Sequence, residues 1–225
     1  MASQKPGILK YLLSFLTEIP VASTSSPINP KLDIVFSAGR FKLNTETATY
    51  SFEDKYGSFG TALEKIKVNL PDYKAALVLG LGLGSIPYML VKKYNFIGEI
   101  VCVEIDPVII QLASHYFPIQ PLPQNLKFVQ SDAADFVTSN QHKFDLIAVD
   151  LFIDRDIPLK FHDSTFLKSL KETLAPGGLL LFSRLTDNYV ADRTLNMELK
   201  NIFPDAEEID TNGNLILRWN SPALR

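Results

Sequence analysis

The chain has 225 residues, 46% of them hydrophobic and 21% charged, with a formal net charge of −3. That length suits one domain with a small appendage, and the balance excludes disordered and fibrous classes. Without an excess of positive charge there is no electrostatic footprint for non-specific nucleic-acid binding, and no nucleic-acid partner is expected.

In chain order, GILKYLLSFLTEI comes first. Ile8, Leu12 and Leu16 recur at a spacing of four, which predicts an amphipathic helix. Lys10 and Glu18 break the run, so a secretory leader is not expected. No apolar stretch is long enough to span a bilayer, so the expectation is a cytoplasmic protein with no membrane partner. A polar link, STSSPINP, follows. KLDIVFSAGRFKLNT then alternates apolar and polar residues on both sides of a turn, which predicts a β-hairpin. An aromatic link, TYSFEDKYGSF, leads to TALEKIKVNL, read as a helix stopped before Pro71.

From residue 75 onward the pattern changes. AALVLG, EIVCVEI, NLKFVQ, FDLIAVD and GLLLFS are short apolar runs, and helical stretches separate most of them. Two-sided apolar strands alternating with helices predict an α/β fold with a parallel sheet. Asp106 and Pro107 form an N-cap and first-turn pair for one helix. FLKSLKETL makes a second helix and residues near 188–202 a third. EEID and NLILRW, joined through TNGN, predict a final antiparallel hairpin. The expected division is a helix-and-hairpin cap over residues 1–70 and a Rossmann-like domain over 71–225. Cys102 lies inside a strand run and reads as a small buried residue of a reducing compartment. His115, His142 and His162 have no metal-ligand spacing, and no metal is expected.

Five motifs bear on function. VLGLGLGSIP carries Gly80, Gly82 and Gly84 in a turn between a strand and a helix, where backbone N–H groups can approach a ligand. A dinucleotide fingerprint wants Gly or Ala where Ser85 stands. Glu104 ends the next strand, twenty residues past Gly84, where a carboxylate can accept both hydroxyls of a ribose. These two motifs fit NAD and adenosyl-sulfonium ligands alike. Asp132, in SDAADF, can cap a helix or accept an adenine amine. Asp150 ends FDLIAVD, facing the crevice where open α/β sheets bind ligands. LAPGG follows a helix and precedes a strand.

In this order and spacing, G-x-G-x-G, VEIDP, SDA, FDLIAVD and LAPGG resemble the seven-stranded S-adenosylmethionine-dependent methyltransferase fold. More narrowly, EIDP and DAADF resemble the spermidine synthase family of aminopropyltransferases, over most of residues 31–183. The resemblance implies a mostly parallel sheet with a C-terminal antiparallel hairpin and helices on both faces. It implies S-adenosylmethionine or its decarboxylated form as co-substrate, and a small acceptor such as a polyamine. A homodimer is compatible with it. By resemblance Gly80, Gly82 and Gly84 cradle the donor, Glu104 holds its ribose, Ile105 packs on the adenine, and Asp132 and Ala133 bind the adenine edge. Asp150 would face sulfonium and acceptor as the catalytic carboxylate. Tyr50, Phe52 and Asp154 would contact the acceptor, with Tyr56, Glu53 and Asp54 nearby.

Three departures stand out. The family's GGGDGG reads GLGLGS here, so the acid that helps accommodate a decarboxylated donor falls on Leu83. The gate loop reads DLFIDRDIP, with Asp154 one residue late and Arg155 added. The cap is small. Aminopropyl transfer, methyl transfer to a small molecule and a non-catalytic binding protein therefore remain the competing expectations.

Overall fold

The computed structural model describes residues 6–66, 70–186, 193–211 and 213–223. Two sheets organise them. The smaller is antiparallel, in the order β1-β2-β3-β4: β1 (Ile19–Thr24), β2 (Leu32–Ser37), β3 (Arg40–Asn44) and β4 (Thr49–Ser51). The β2–β3 hairpin is the expected one. Ala38 and Gly39 both take positive φ, 48° and 76°, which suits a two-residue turn whose twist matches the strands.

The larger sheet has seven strands, in the order β10-β11-β9-β8-β5-β6-β7. They are β5 (Ala75–Leu79), β6 (Glu99–Glu104), β7 (Leu126–Gln130), β8 (Phe144–Val149), β9 (Leu174–Leu185), β10 (Glu207–Asp210) and β11 (Asn214–Asn220). Strands β5 to β9 run parallel; β11 and β10 are antiparallel, as the α/β reading expects. The two-residue period of a strand sorts its side chains into two cores. Leu77, Leu79, Val101, Val103, Ile147 and Val149 face one layer of helices, α5 (Ala133–Ser139), α6 (Ser164–Thr173) and α7 (Arg193–Ile202). Ala76, Val78, Ile100, Cys102, Leu146 and Ala148 face the other, α2 (Gly57–Ile66), α3 (Ser85–Lys92) and α4 (Pro107–Tyr116). Cys102 is fully buried there, and burial alone raises its thiol pKa far above the ordinary range. Asp106 caps α4 as expected, accepting from Val108 N at 2.9 Å.

Several local expectations need correction. The N-terminal helix, α1 (Ile8–Leu13), is shorter than its apolar pattern, and Ile8, Leu12 and Leu16 are 81%, 61% and 85% exposed. Ser14 ends it by docking on the hairpin turn: its Oγ accepts from Gly39 N at 2.9 Å and its carbonyl from Ala38 N at 2.7 Å. The chain is thereby freed to form β1, a largely exposed edge strand that carries no apolar alternation. Helix α2 begins at Gly57, inside the aromatic link, and its buried Phe59, Ala62 and Leu63 join the core of the large sheet. Residues 67–69, 187–192 and Asn212, parts of the expected helices and final turn, lie outside the described residues. Strand β9 starts at Leu174, ahead of the Pro-Gly-Gly segment, and a register shift against β8 absorbs the irregularity.

The small sheet is fastened to the large one through a third apolar cluster. Leu32, Ile34, Phe36, Phe41 and Leu43 enclose Leu83 from the glycine loop and Ile109 from α4. Leu83, where the resemblance expects an acid, is only 3% exposed. An aspartate there leaves a charge in an apolar cluster and removes the leucine's packing. Leu83→Asp is expected to lose about 3–5 kcal/mol of stability. Urea unfolding of variant and parent, compared at one pH, measures this loss.

Candidate active site

Strand β5 lies between β6 and β8, so successive crossovers leave it in opposite directions, and a crevice opens beyond its C-terminal end. The crevice has a cavity volume of about 160 Å³ and is partly open to solvent. Its floor is set by backbone contact. Gly80 has φ 93°, and a Cβ on it would sit 2.2 Å from the Asp150 carbonyl oxygen. Only glycine lets the ends of β5 and β8 meet this closely. Gly82 is similarly pressed: its Cβ would meet the Tyr50 carbonyl oxygen at 2.8 Å. Both glycines line the crevice. Gly84 does not; it precedes α3, against the Phe117 ring.

Ser85, whose presence argues against a dinucleotide fingerprint, holds the cap. Its buried hydroxyl pairs with Ser51 Oγ at 2.7 Å and accepts from Phe52 N at 2.9 Å.

Glu104 lines the crevice at the end of β6. Its Oε2 accepts from Leu81 N at 3.1 Å and Oε1 from Asp106 N at 3.0 Å. Burial raises its pKa, and these N–H donors oppose the rise. Each oxygen keeps a lone pair for a further donor. Ile105 follows, 41% exposed, on the crevice wall.

Asp132 caps α5, accepting from Ala134 N at 2.8 Å, and also pairs with the Lys160 ammonium. Burial works to raise its pKa, but Lys160 and the Ala134 N–H outweigh burial and hold the carboxyl below its ordinary value. Ala133 is buried beside it and lines the same wall.

Asp150 stands where β8 ends. Its Oδ2 accepts from Tyr56 Oη at 2.7 Å. Its Oδ1 is buried and has no hydrogen-bond partner among the described residues. Burial pushes the carboxyl up to about 6, while the Tyr56 hydroxyl and the Ser183 hydroxyl, which is near but makes no hydrogen bond to Oδ1, favour its ionised form. Burial and the neighbouring Asp150 charge raise the Tyr56 pKa well above its ordinary value.

A second chamber lies against the first. Tyr50, Tyr56 and Phe152 line both; Phe52 and Asp154 line only the second. Tyr50 Oη donates to Asn29 Oδ1 at 3.1 Å and accepts from Asp154 N at 2.6 Å, and burial pushes its pKa up to about 12. Asp154, with φ 58°, accepts from Thr45 Oγ1 at 2.5 Å, which holds its pKa down. Glu53 and Asp54 reach neither chamber: Glu53 accepts from Phe41 N at 2.8 Å, and Asp54 pairs with Arg40.

Two residues carry more than their sequence context signals. Asn29, in the polar link, is buried, lines the crevice and donates to the buried Asp106 at 2.7 Å. Tyr56 is one aromatic among several in its link, yet it alone donates to Asp150. Among the described residues no cluster of potential metal ligands exists, and no helix is long and apolar enough to cross a membrane.

The family model described as spermine/spermidine synthase domain matches residues 63–204, more than half of the chain. A polyamine aminopropyltransferase from Vibrio vulnificus (strain CMCP6) is 31% identical over 125 residues, 54% of this chain and 41% of that protein. The chain thus spans less than half the length of this curated relative. Among solved structures, a spermidine synthase in complex with the transition state analogue AdoDATO superposes with a TM-score of 0.71, at 16% identity, over 92% of this chain and 75% of that one. Human methyltransferase-like protein 13 in complex with SAH superposes with a TM-score of 0.59, at 25% identity, over 68% of this chain and 74% of that one.

The raised pKa of Asp150 has a stability consequence. The folded state disfavours its ionised form, so the cost is present above about pH 6 and vanishes below the unfolded value near ~3.9. Asp150→Asn is expected to stabilise the fold by about 3 kcal/mol at pH 8, with about half of that gain left at pH 5. Urea unfolding at the two pH values reads both figures.

Proposed function

The chain belongs to the spermine/spermidine synthase family, and on that premise we propose that it is a transferase, moving an aminopropyl group from a decarboxylated S-adenosylmethionine-type sulfonium to a small amine. The observation that carries this reading is the carboxylate of Asp150, buried in the wall of the first chamber with Oδ1 unpartnered among the described residues and Oδ2 held by Tyr56, which lines both chambers. An unpartnered buried anion is costly, and a bound cation would offset that cost. Both a sulfonium and an alkylammonium are such cations.

In this reading Gly80 and Gly82 give the donor close backbone approach. Gly84 keeps the loop's path into α3, against Phe117. Glu104 accepts ribose hydroxyls on its spare lone pairs, Ile105 and Ala133 pack on the adenine, and Asp132 accepts its amine. The acceptor enters from the second chamber, between Tyr50, Phe52 and Tyr56, with Asp154 at its far side. The nitrogen must first lose a proton, since free alkyl amines have pKa values near ~10. Asp150, titrating at about 6, is a stronger base than an ordinary carboxylate and still ionised at neutral pH. Tyr56 orients it by donating to Oδ2. The amine lone pair then forms the C–N bond to the carbon beside sulfur. The C–S bond breaks, its electron pair stays on sulfur as a neutral thioether, the new secondary ammonium keeps its protons, and the one proton that Asp150 took from the acceptor passes on to water.

The division into residues 1–70 and 71–225 is functional in this reading: the cap supplies Tyr50, Phe52 and Tyr56, and the rest supplies the donor side. A cytoplasmic location, consistent with a lone buried cysteine, and a homodimer paired through the cap belong to the same proposal.

A second reading, methyl transfer from ordinary S-adenosylmethionine, is favoured by Leu83. That side chain is locked under the hairpin, so no acid from its position repels a donor carboxylate. Calorimetric titration with both sulfonium donors, followed by incubation with amines, separates the readings. Methylthioadenosine as product is expected. S-adenosylhomocysteine as product would favour methyl transfer, and binding of neither donor would overturn both. Glu104→Gln is expected to weaken donor binding by about 1–3 kcal/mol, the value of a charge-assisted hydrogen-bond acceptor; unchanged affinity in that titration would remove the ribose from Glu104.

A further inference from the structure

The second chamber has the wrong charge for a polycation. Among the described residues, the charged side chains lining it are Lys42, Lys55, Arg155 and Asp154. The one acid, Asp154, accepts from the Thr45 hydroxyl at 2.5 Å, which favours its ionised form, and its charge is set against that of Arg155. Lys42 Nζ stands 5.6 Å over the Phe52 ring and 2.9 Å from Glu18, which is not part of the lining. Glu53 and Asp54, the acids that the sequence offers for an amine's charge, turn outward to the β3 backbone and to Arg40. The remaining polar lining is neutral: Thr47, Thr49 and Asn214.

The lining therefore differs from that of its neighbour. Through Tyr56 the chamber adjoins the Asp150 carboxylate of the first, which attracts a cation and accepts its proton. Its own lining presents ammonium groups and threonine hydroxyls, which favour an anion and repel a second ammonium. Tyr50, Phe52 and Phe152 add apolar surface that suits an alkyl stem.

We propose that the acceptor is an ω-amino acid, with its amine at Asp150 and its carboxylate at Lys42 and Lys55, in place of a diamine whose second ammonium would meet those lysines. This rests on the transferase reading above and names its acceptor class. The preference needs only Lys42 and Lys55; Arg155 is offset by Asp154. Discrimination comes from repulsion of the wrong partner as much as from attraction of the right one.

The test uses end-group pairs of equal length: 4-aminobutanoate against butane-1,4-diamine, and 5-aminopentanoate against pentane-1,5-diamine. Each is titrated calorimetrically into the full chain saturated with methylthioadenosine. The amino acid of each pair is expected to bind at least about tenfold more tightly, with the advantage shrinking as salt is raised. The Lys42→Glu/Lys55→Glu double variant is expected to reverse the order; its circular dichroism spectrum and methylthioadenosine affinity are measured first to establish that it is folded. Tighter or equal binding of the diamines by the parent chain overturns the proposal, and so does failure of all four to bind. The titrations are repeated without nucleoside, where the same order is expected. Loss of methylthioadenosine binding would thus count against the transferase reading, while the order of the acceptors still decides this one.

Discussion

The contact of Gly80 with the Asp150 carbonyl is the constraint on which the site depends. A side chain at Gly80 would have to occupy space 2.2 Å from that oxygen. Because none is there, Asp150 N donates to Leu79 O at 2.8 Å and Gly80 N to Val103 O at 3.0 Å, carrying the ladder of the sheet to the last residue of each strand. The carboxylate of Asp150 is then delivered by rigid backbone to the switch point of the sheet, within reach of a crevice whose other acids, Glu104 and Asp132, end the neighbouring strands' connections. Rigid elements hold such groups more accurately than loops do.

The cap completes what the sheet begins. Leu83 passes under the hairpin and Ile109 meets it from α4, so the small sheet and the donor wall share one apolar cluster. Ser85 ties β4 to the start of α3. These contacts bring Tyr56 onto Asp150. They also bring Tyr50 between Asn29 and Asp154. The same residues that anchor the cap thus close one side of each chamber. Burial shifts Asp150: it costs stability and raises the carboxyl's basicity toward neutral pH.

Much of this was legible in the residues. Two-sided apolar runs signalled the parallel strands, because each face of the sheet must bury its alternate residues. Asp-Pro marked the start of α4, and the acids at strand ends marked the crevice. Other features left no local trace. Strand β1 forms because β2 offers it an edge, not because IPVAST alternates. The stripe Ile8–Leu12–Leu16 has helical spacing but stays exposed among the described residues, so its periodicity overstated the helix. Asn29 looks like a loop residue until Asp106 and Tyr50, both distant in sequence, enclose it. The charge of the second chamber was equally hidden: Lys42 and Lys55, thirteen residues apart, line it together only in the folded chain, while Glu53 and Asp54, the nearer acids in sequence, bond elsewhere.

The central claim is that Asp150 is an anion held for a cation. Its most direct test is the pH dependence of binding for two ligands that differ in that charge, S-adenosylmethionine and S-adenosylhomocysteine. Hydrogen bonds of Glu104 and Asp132 to the nucleoside shared by both ligands are common and cancel in the ratio of their affinities. The account predicts that the ratio rises in favour of the sulfonium as pH passes upward through about 6, where Asp150 ionises. A ratio that stays constant across that range would contradict it.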